Sequence, residues 1–388
     1  MQISHLLRAR RRLLGLLPAT LIAALPARYA TAAVPGVSDR EIIVGQNITR
    51  QGGRNVYGAD VQIGIQACLA DINRNGGVLG RQVVLRTLDD DNDAAKAEAH
   101  ARQLVAGGAF VLFGSIEGGP STAVMKAAVE MGVPFIGPMA GSPGLRRPHQ
   151  SLVFPVRAEH REEFRALITH AQRVGLKRVA LFHADSSVGR EHLANVEKLT
   201  AEIGIAFAGG QPFKGDITDP QLVAAAAGFA ERGADLVLNH GSASVYGRLI
   251  RSARAAGLRT HYWGVNSGST PLAAALGELA KGMVFSQIVP NPRAGKTALA
   301  REYQSLLARS HPGQPLSYGG LKGYMTAKAL TLALRAAGSK PTRNSLLVGL
   351  EKFDADLGDL PLRWRKGEHV GSAFVDLALV GRDGRFVQ

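Results

Sequence analysis

The feature that most constrains the fold of this chain is an alternation of short apolar runs with longer amphipathic stretches. The first four runs are rich in Val, Ile, Leu and Phe, and they cover residues 41–45, 83–88, 110–114 and 133–136. Between them, apolar side chains such as Val61, Ile65 and Leu69 recur every three or four residues, which is typical of a helix with one buried face. The alternation predicts a parallel sheet that helices cover on both faces.

The same alternation begins again near residue 178, so the chain contains a second half of similar layout. Its predicted strands and helices cover residues 178–183, 189–203, 206–211, 220–232, 236–239, 244–256 and 262–265. The halves share an architecture without a residue-level repeat. We therefore predict an α/β fold with two doubly wound, Rossmann-like lobes.

Beyond the second half, the chain continues with elements that belong to neither repeat. They are an extended stretch, two helices and two strands, at residues 282–289, 294–310, 318–337, 360–365 and 372–380. A chain that returns after completing two α/β units crosses between them several times, and such crossings form a hinge. We expect a three-stranded hinge near Pro155, Ser286 and Asp356. The first lobe would then hold residues 38–156 and 287–356, and the second 157–286 and 357–388.

The N-terminus has the layout of a secretory signal peptide at residues 1–32. Four arginines within residues 8–12 precede an apolar run at 13–25, and Ala30-Thr31-Ala32 is a small-x-small cleavage signal. A membrane anchor is the alternative, but the run is shorter than the ~20 residues needed to span a bilayer. No cysteine follows the cleavage signal, which disfavours a lipoprotein. We expect export to the periplasm, by the general or the twin-arginine route.

Charge and cysteine content exclude two further classes. The formal charge is +15, and residues 33–388 hold 41 basic against 31 acidic side chains. These basic residues are scattered and lack interleaved aromatics, which indicates a solvated surface and no nucleic-acid partner. Cys68 is the single cysteine, so no disulfide can form within the chain.

Ligands of open parallel sheets bind beyond the carboxyl ends of the strands, at helix N-termini. The loop at residues 114–122 follows a strand and opens a helix, and its glycines, hydroxyls and free N–H groups favour an anion. Ser121 or Thr122 would alternatively only cap that helix. Glu117 would pair with a ligand ammonium or be solvated. The loops at 138–143, 183–189, 240–244 and 266–269 occupy equivalent places, where an ordinary turn is the alternative.

The motifs that enzymes of this size use are absent from the sequence. It contains no GxSxG nucleophile elbow, no P-loop and no GxGxxG fingerprint in the first turn. Its histidines show no metal-ligand spacing such as HExxH. The acidic residues at 89–91 lack the pattern of a calcium loop and indicate a solvated strand end. We therefore expect no enzymatic activity, no metal and no cofactor.

Several strings resemble the branched-chain amino-acid (Leu/Ile/Val) binding proteins, the type I periplasmic solute-binding proteins of ABC importers. The most specific, residues 71–81 (DINRNGGVLGR), is similar to the family's DIN-x-x-GG signature. Val133-Pro134 with Pro138, the helix end at 251–257 and the helix at 324–338 also resemble family segments. The resemblance extends over about residues 38–388 and implies a periplasmic binding protein type I fold.

The resemblance also implies a ligand site between the lobes. Ser115 matches the serine that holds the amino-acid carboxylate, and Asn266 falls where an acid receives the ligand ammonium. Val188 occupies a position that is aromatic in the amino-acid binders. Because Asn266 replaces the acidic side chain, a charge-assisted bond to the ligand ammonium is lost, so an organic acid fits as well as an amino acid. The expected ligand-binding residues are Tyr57, Ser115, Ile116, Glu117, Ala140, Gly141, Ser142, Asp185, Val188, Ser242 and Asn266.

The function that the resemblance implies is capture of such a solute by hinge closure and delivery to the membrane subunits of an ABC permease. We expect a monomer whose partners are the solute and that permease. A receptor of the same fold that reports the ligand to a signalling partner is the alternative.

Overall fold

The computed structural model describes residues 34–387, so the predicted signal peptide at residues 1–32 lies outside the described residues. The first lobe is built on five strands: β1 (Glu41–Ile48), β2 (Gln82–Asp89), β3 (Val111–Phe113), β4 (Phe135–Ile136) and β5 (Val153–Phe154). They form one sheet in the order β2-β1-β3-β4-β5, and all neighbours are parallel. The predicted parallel sheet is confirmed, with β5 as an added edge strand.

Three helices connect these strands and cover both faces of the sheet. They are α1 (Val56–Arg74), α2 (Ala94–Ala106) and α3 (Gly118–Glu130). Side chains of α1 lie in one buried apolar cluster with β1, whereas those of α2 and α3 lie in another. The family-like string at 71–81 has a structural task here, because the Asn73 side chain exchanges two hydrogen bonds with the backbone of Val83 and so joins α1 to β2.

The second lobe repeats this arrangement. Its elements are α4 (His160–Arg173), β6 (Arg178–Ala184), α5 (Ser187–Ile203), β7 (Ala206–Phe213), α6 (Asp219–Glu231), β8 (Leu236–His240), α7 (Ala243–Ala255), β9 (His261–Gly264), α8 (Ser269–Leu276) and β10 (Val284–Gln287). The five strands are parallel to their neighbours, in the order β10-β9-β8-β6-β7. Helix α4 was not predicted, although Phe164, Leu167 and Ile168 recur at helical spacing and are fully buried.

The rest of the chain returns to the first lobe and then to the second. It forms α9 (Ala298–Ser310), α10 (Tyr318–Arg335), α11 (Arg343–Leu350), β11 (Asp354–Asp356), β12 (Pro361–Arg363), β13 (Asp376–Val380) and β14 (Phe386–Val387). Helices α9 to α11 pack in the core of the first lobe. Strand β13 extends the second sheet antiparallel to β10, and β14 pairs antiparallel with β13 at the sheet edge. Among residues 34–387, no helix has both the length and the apolar character to cross a bilayer.

The chain passes between the sheets three times, and the last passage lies later than the sequence indicated. Residues 357–364 were assigned to the second lobe, but Leu357, Leu362 and Trp364 pack in the core of the first. Trp364 is fully buried, stacks on Phe353, and donates a 2.8 Å hydrogen bond from Nε1 to the carbonyl of Pro155. The passages therefore follow β5, β10 and β12.

The acidic stretch after β2 is not the solvated strand end that we expected. Asp90 is fully buried and accepts hydrogen bonds from Asn47 Nδ2 at 2.7 Å and Thr49 Oγ1 at 2.5 Å. Asp89 accepts from three consecutive backbone N–H groups at residues 50–52. Asp93 caps α2, because its side chain accepts a hydrogen bond from the N–H of Lys96 at the start of that helix. These carboxylates fix the loop that leads into α1.

Helices α1 and α10 approach closely because glycines line their contact. A Cβ on Gly64 would lie 1.9 Å from the carbonyl oxygen of Gly320, and one on Gly323 would lie 2.0 Å from that of Val61. Only glycine fits at such distances. The close approach places Lys322, which lies between the two α10 glycines, against α1 at the edge of the first lobe.

Candidate functional site

Each sheet has a switch point, where the strand order reverses and ligands of such folds bind. In the first lobe β1 lies between β2 and β3, and the chain after β3 leads to Ser115. In the second lobe β6 lies between β7 and β8. His183 and His240 stand beside each other in register at the carboxyl ends of β6 and β8. The two switch points therefore carry hydroxyl and imidazole groups.

Glu163 of α4 is the hub of a buried polar network beside the second switch point. Its Oε1 accepts hydrogen bonds from Arg157 Nη2 and from His160 Nδ1 at 2.7 Å. Its Oε2 accepts from the backbone N and Nδ2 of Asn266 at 3.1 and 2.6 Å, and from Ser286 Oγ at 2.6 Å. The side chains of Arg157 and Glu163 are both 0% exposed. The network joins the first passage between the lobes to α4, β10 and the loop after β9.

Three histidines lie next to this network, although they are far apart in sequence. The ring centroids of His160, His192 and His240 lie 5.1, 5.3 and 4.0 Å apart. Burial, followed by the charge of Arg157, lowers the pKa of His160 well below its ordinary value. Burial and the neighbouring His240 lower the pKa of His192 in the same way, and burial lowers that of His240 to about 3. All three imidazoles are uncharged at neutral pH.

The first lobe contributes a second group of buried polar side chains. Lys322 Nζ donates to the hydroxyl oxygen of Tyr57 and lies 5.1 Å from the centre of that ring. Burial, together with the positive charge of Arg157, lowers the pKa of Lys322. Burial raises the pKa of Glu117, and the charge of Lys322 opposes that rise. Ser267 of the second lobe lies close enough to Tyr57 to lower the pKa of its hydroxyl, against the larger rise from burial, so this group faces the second lobe across the cleft between the two lobes.

The charge of Arg157 acts on groups in both lobes, including Tyr57, Lys322 and the three histidines. The buried polar groups therefore form one assembly, which we call the cleft cluster. Its members are Tyr57, Glu117, Arg157, His160, Glu163, His192, His240, Asn266 and Lys322.

Several buried hydrogen-bond donors at this cleft lack partners within the described residues, and three of them come from serine and arginine side chains. They are Ser115 Oγ, Ser142 Oγ and Arg157 Nη1. Ser142 lies against the N-terminus of α3, because a Cβ on Gly118 would be 3.0 Å from its Oγ. Polar atoms left unpaired in a protein interior are uncommon and costly, and these donors are free to hydrogen-bond to a bound group.

The structure brings seven of the predicted ligand-binding residues to the cleft. Three of them, Tyr57, Glu117 and Asn266, belong to the cleft cluster. Val188 lies near Gly118 of the first lobe, and the carbonyl of Gly141 accepts a 3.0 Å hydrogen bond from the backbone N–H of His160. The remaining two are Ser115 and Ser142.

The other four lie elsewhere or serve the fold. Ile116 packs in the apolar core of the first lobe, and the carbonyl of Ala140 accepts a hydrogen bond from Arg146. Asp185 is exposed and forms a 3.2 Å ion pair with Arg190. Ser242 is exposed and caps α7 by accepting from the N–H of Val245. A solvated ion pair and a helix cap satisfy these last two side chains without a ligand.

Most of the ionisable residues of the cleft cluster were not predicted from the sequence. Arg157, His160, Glu163 and Lys322 were not among the expected ligand residues. The available signals were weak: Lys322 is an isolated cation in an apolar helix, and His160 and Glu163 have the spacing of neighbours on a helix face. Their partners come from distant segments, so spacing alone does not unite them.

A family model described as "Periplasmic binding protein" matches residues 41–385. The chain belongs to this family. Because the family is not enzymatic, the expectation that the protein catalyses no reaction is confirmed. This periplasmic binding protein is thus a solute-binding protein of the ABC-transporter type.

Curated relatives agree over most of the chain. The periplasmic binding protein is 25% identical over 338 residues to the Leu/Ile/Val-binding protein homolog 1 of Brucella abortus, covering 85% of this chain and 88% of that one. It is 27% identical over 238 residues to the Leu/Ile/Val-binding protein of Citrobacter freundii, covering 60% and 63%. The predicted resemblance is confirmed at the level of family.

Solved structures of low identity share the fold. A substrate-binding periplasmic protein from Ralstonia solanacearum matches with a TM-score of 0.81 at 23% identity, covering 90% of this chain and all of that one. An ABC-transporter solute-binding protein from R. palustris in complex with benzoate matches with a TM-score of 0.77 at 19% identity, covering 89% and 95%. The predicted type I periplasmic binding protein fold is confirmed.

Proposed function

We propose that this periplasmic binding protein captures a small carboxylate-bearing solute, an amino acid or an organic acid, and delivers it to an ABC importer. The observation that carries the proposal is the set of unpaired buried donors, Ser115 Oγ, Ser142 Oγ and Arg157 Nη1, in the described part of the cleft. A carboxylate has two oxygens that accept hydrogen bonds, and bonds to a charged acceptor are the stronger ones. A bound carboxylate would therefore remove the cost of leaving these donors unpaired.

The buried charges at the cleft favour the same ligand class. Arg157 and Lys322 are nearly or fully buried basic groups, at 0% and 1% exposure. The carboxylate of Glu163 offsets Arg157, and Glu117 acts on Lys322. An anionic ligand would place negative charge beside two basic groups that are short of water, where Coulomb attraction is strong and favours their charged forms.

Asn266 and Glu117 bear on whether the bound acid also carries an ammonium group. Asn266, at the position where the resemblance implies an acid for the ligand ammonium, uses its amide to donate to Glu163. Glu117 is the cleft carboxylate that remains for an ammonium. Relatives named for Leu, Ile and Val, a neighbour that binds benzoate and a neighbour named for fatty-acid transport all concern molecules with a carboxylate, which supports that shared group.

We propose that capture works by closure of the two lobes about the three chain passages. Val188 and His160 of the second lobe already touch Gly118 and Gly141 of the first. A permease would then distinguish the closed, loaded form from the open one. Residues 1–32 would export the chain to the periplasm. N-terminal sequencing of the periplasmic protein tests that step, since cleavage after Ala32 is expected.

A matched thermal-shift screen tests the ligand class. The purified protein would be dialysed extensively and then heated with leucine, benzoate and octanoate, each beside the amide that lacks its carboxylate charge. A carboxylate at 100 times its dissociation constant should stabilise the fold by about 2.7 kcal/mol, and its amide should not. Equal shifts from acid and amide, or no shift with any carboxylate, would overturn the proposal.

A further inference from the structure

The histidines of the cleft cluster form a group that the solute proposal does not use. His160 begins α4, His192 lies in the second turn of α5, and His240 ends β8. One ligand nitrogen from each ring lies within 4.8 Å of the other two. Converging imidazole nitrogens are the donor set that zinc, nickel, cobalt and copper ions prefer.

The hydrogen bonding of these rings leaves their nitrogens available. Among the described residues, neither nitrogen of His192 has a partner, and Nδ1 of His240 has none either. His192 is fully buried, so its two unpaired nitrogens carry a desolvation cost that no protein group removes. A packing role alone does not account for an imidazole at this position, since an apolar side chain would avoid that cost.

The third ring is oriented by Glu163. An ionised carboxylate only accepts hydrogen bonds, so the 2.7 Å contact with Oε1 places the proton of His160 on Nδ1. Nε2 then carries the free lone pair. A carboxylate that holds the far nitrogen of a histidine is the usual outer partner of a metal-bound imidazole, because it fixes the tautomer and the ring orientation.

We propose that His160, His192 and His240 bind one divalent transition-metal ion at the second-lobe wall of the cleft. Nitrogens that are each about 2.0–2.1 Å from a tetrahedral ion lie about 3.4 Å apart. The histidine nitrogens are now within 4.8 Å of one another, so modest side-chain rotations that bring them closer complete the site. The positive charge of Arg157 acts on all three rings and favours an anionic fourth ligand. The carboxylate of the proposed solute has that charge, but metal binding itself requires only the histidines.

Titration calorimetry with metal alone tests this site. The purified protein, freed of any affinity tag and treated with a chelator, would be titrated with Ni²⁺ and Zn²⁺ without solute. One ion per chain is expected. Replacing a metal-bound histidine should cost more than the 10–100-fold effect of losing an outer partner, so H192A and H240A should each weaken binding by about 100-fold or more. H261A is the matched control, because His261 is exposed on the same lobe, and it should bind as the wild type does.

The visible spectrum of bound Co²⁺ gives a second readout that a purely structural role would not change. The wild type and H261A should show the bands of a nitrogen-ligated ion, whereas H192A and H240A should lose them while keeping native circular dichroism. The metal site would be overturned if the wild type bound the ion no more tightly than H192A and H240A do. It would also be overturned if H261A lost as much metal affinity as those two variants. Solute binding measured in the presence of chelator is a separate test, so failure of one proposal is distinguishable from failure of the other.

Discussion

His160 Nδ1 lies 2.7 Å from Glu163 Oε1, three residues further along α4. The same buried carboxylate accepts hydrogen bonds from Arg157 in the first passage between the lobes and from Asn266 and Ser286 in the second lobe. One side chain therefore holds a ring of the histidine group and a cation of the cleft at once. The position of both depends on Glu163.

Replacing Glu163 with glutamine should destabilise the protein strongly. The substitution leaves the Arg157 charge buried without its counter-ion, and breaking such a pair costs about 3–5 kcal/mol of unfolding free energy. Glu202→Gln is the control, because Glu202 pairs with Arg165 at 3.0 Å on the surface and such pairs contribute about 1 kcal/mol or less. Urea unfolding measures both variants. Equal losses of unfolding free energy in the two variants would show that the buried pair contributes no more to stability than the surface pair does.

Replacing Ser115 with alanine should separate ligand binding from stability. Its Oγ is buried and has no partner among residues 34–387, so removing it should leave the ligand-free fold as stable as before. Losing a hydrogen bond to a charged ligand should weaken solute affinity about tenfold or more.

Thr342→Ala is the opposite control for Ser115→Ala. Thr342 caps α11 by accepting from the N–H of Ser345, so its loss should cost about 1 kcal/mol of stability and leave affinity unchanged. Calorimetric titration and thermal unfolding report the two quantities. Unchanged affinity in Ser115→Ala would remove Ser115 from the site.

Replacing Gly141 with alanine should hinder closure of the lobes. The added Cβ would lie 2.7 Å from the ring of His160 and 2.8 Å from its backbone nitrogen, so the first lobe must move away from the second. Gly144→Ala, three residues on, meets nothing within 4 Å. X-ray scattering with saturating solute should give a larger radius of gyration for Gly141→Ala than for Gly144→Ala. Identical radii would argue against contact at this point.

Asp89 should make stability depend on pH in the acid range. Burial tends to raise its pKa, but hydrogen bonds from the backbone N–H groups of Arg50, Gly52, Asp91 and Gln51 outweigh burial and lower it to about 2. The unfolded value is 3.8, so the native state holds the charged form more strongly. The stabilisation is complete above about pH 4 and is lost as the pH falls towards 2.

Asp89→Asn tests that expectation. The variant should be less stable than the wild type by about 1–2 kcal/mol at neutral pH, and the gap should close as the pH falls from 4 towards 2. Asp91→Asn, which removes only an exposed partner of Lys96, should show a much smaller gap. A gap that persists unchanged at pH 2 would contradict the pKa assignment.

The architecture was largely predictable because local patterns of apolar residues determine most of its strands and helices. Alternating apolar runs located nine of the ten parallel strands, and the string at 71–81 pointed to the family. Helix α4 was missed because it begins in a polar stretch, and its first turn contains two of the cleft residues, His160 and Glu163. Asp90 looked solvated beside two other acids, yet Asn47 of the neighbouring strand β1 and Thr49, just beyond the end of β1, provide its partners.

Of the candidate site, only the residues in the loops that follow the strands could be predicted from the sequence. The carboxyl ends of β3 and β4 identified Ser115 and Ser142 because strand ends are visible in the sequence. The histidine group was not visible, since His160, His192 and His240 come together only through the packing of α4 against α5 and the pairing of β6 with β8. Their separation in sequence matches no motif, so the expectation of no metal rested on spacing that this kind of site does not require.

Titration of the purified, dialysed protein with a carboxylic acid and with its amide tests the central claim most directly. One molecule per chain of the acid selected by the thermal screen should bind. The amide with the same carbon skeleton should bind at least about tenfold more weakly, because hydrogen bonds to a charged group contribute about 1.5–3 kcal/mol. Equal affinity for acid and amide, or no binding of any carboxylate, would contradict the account.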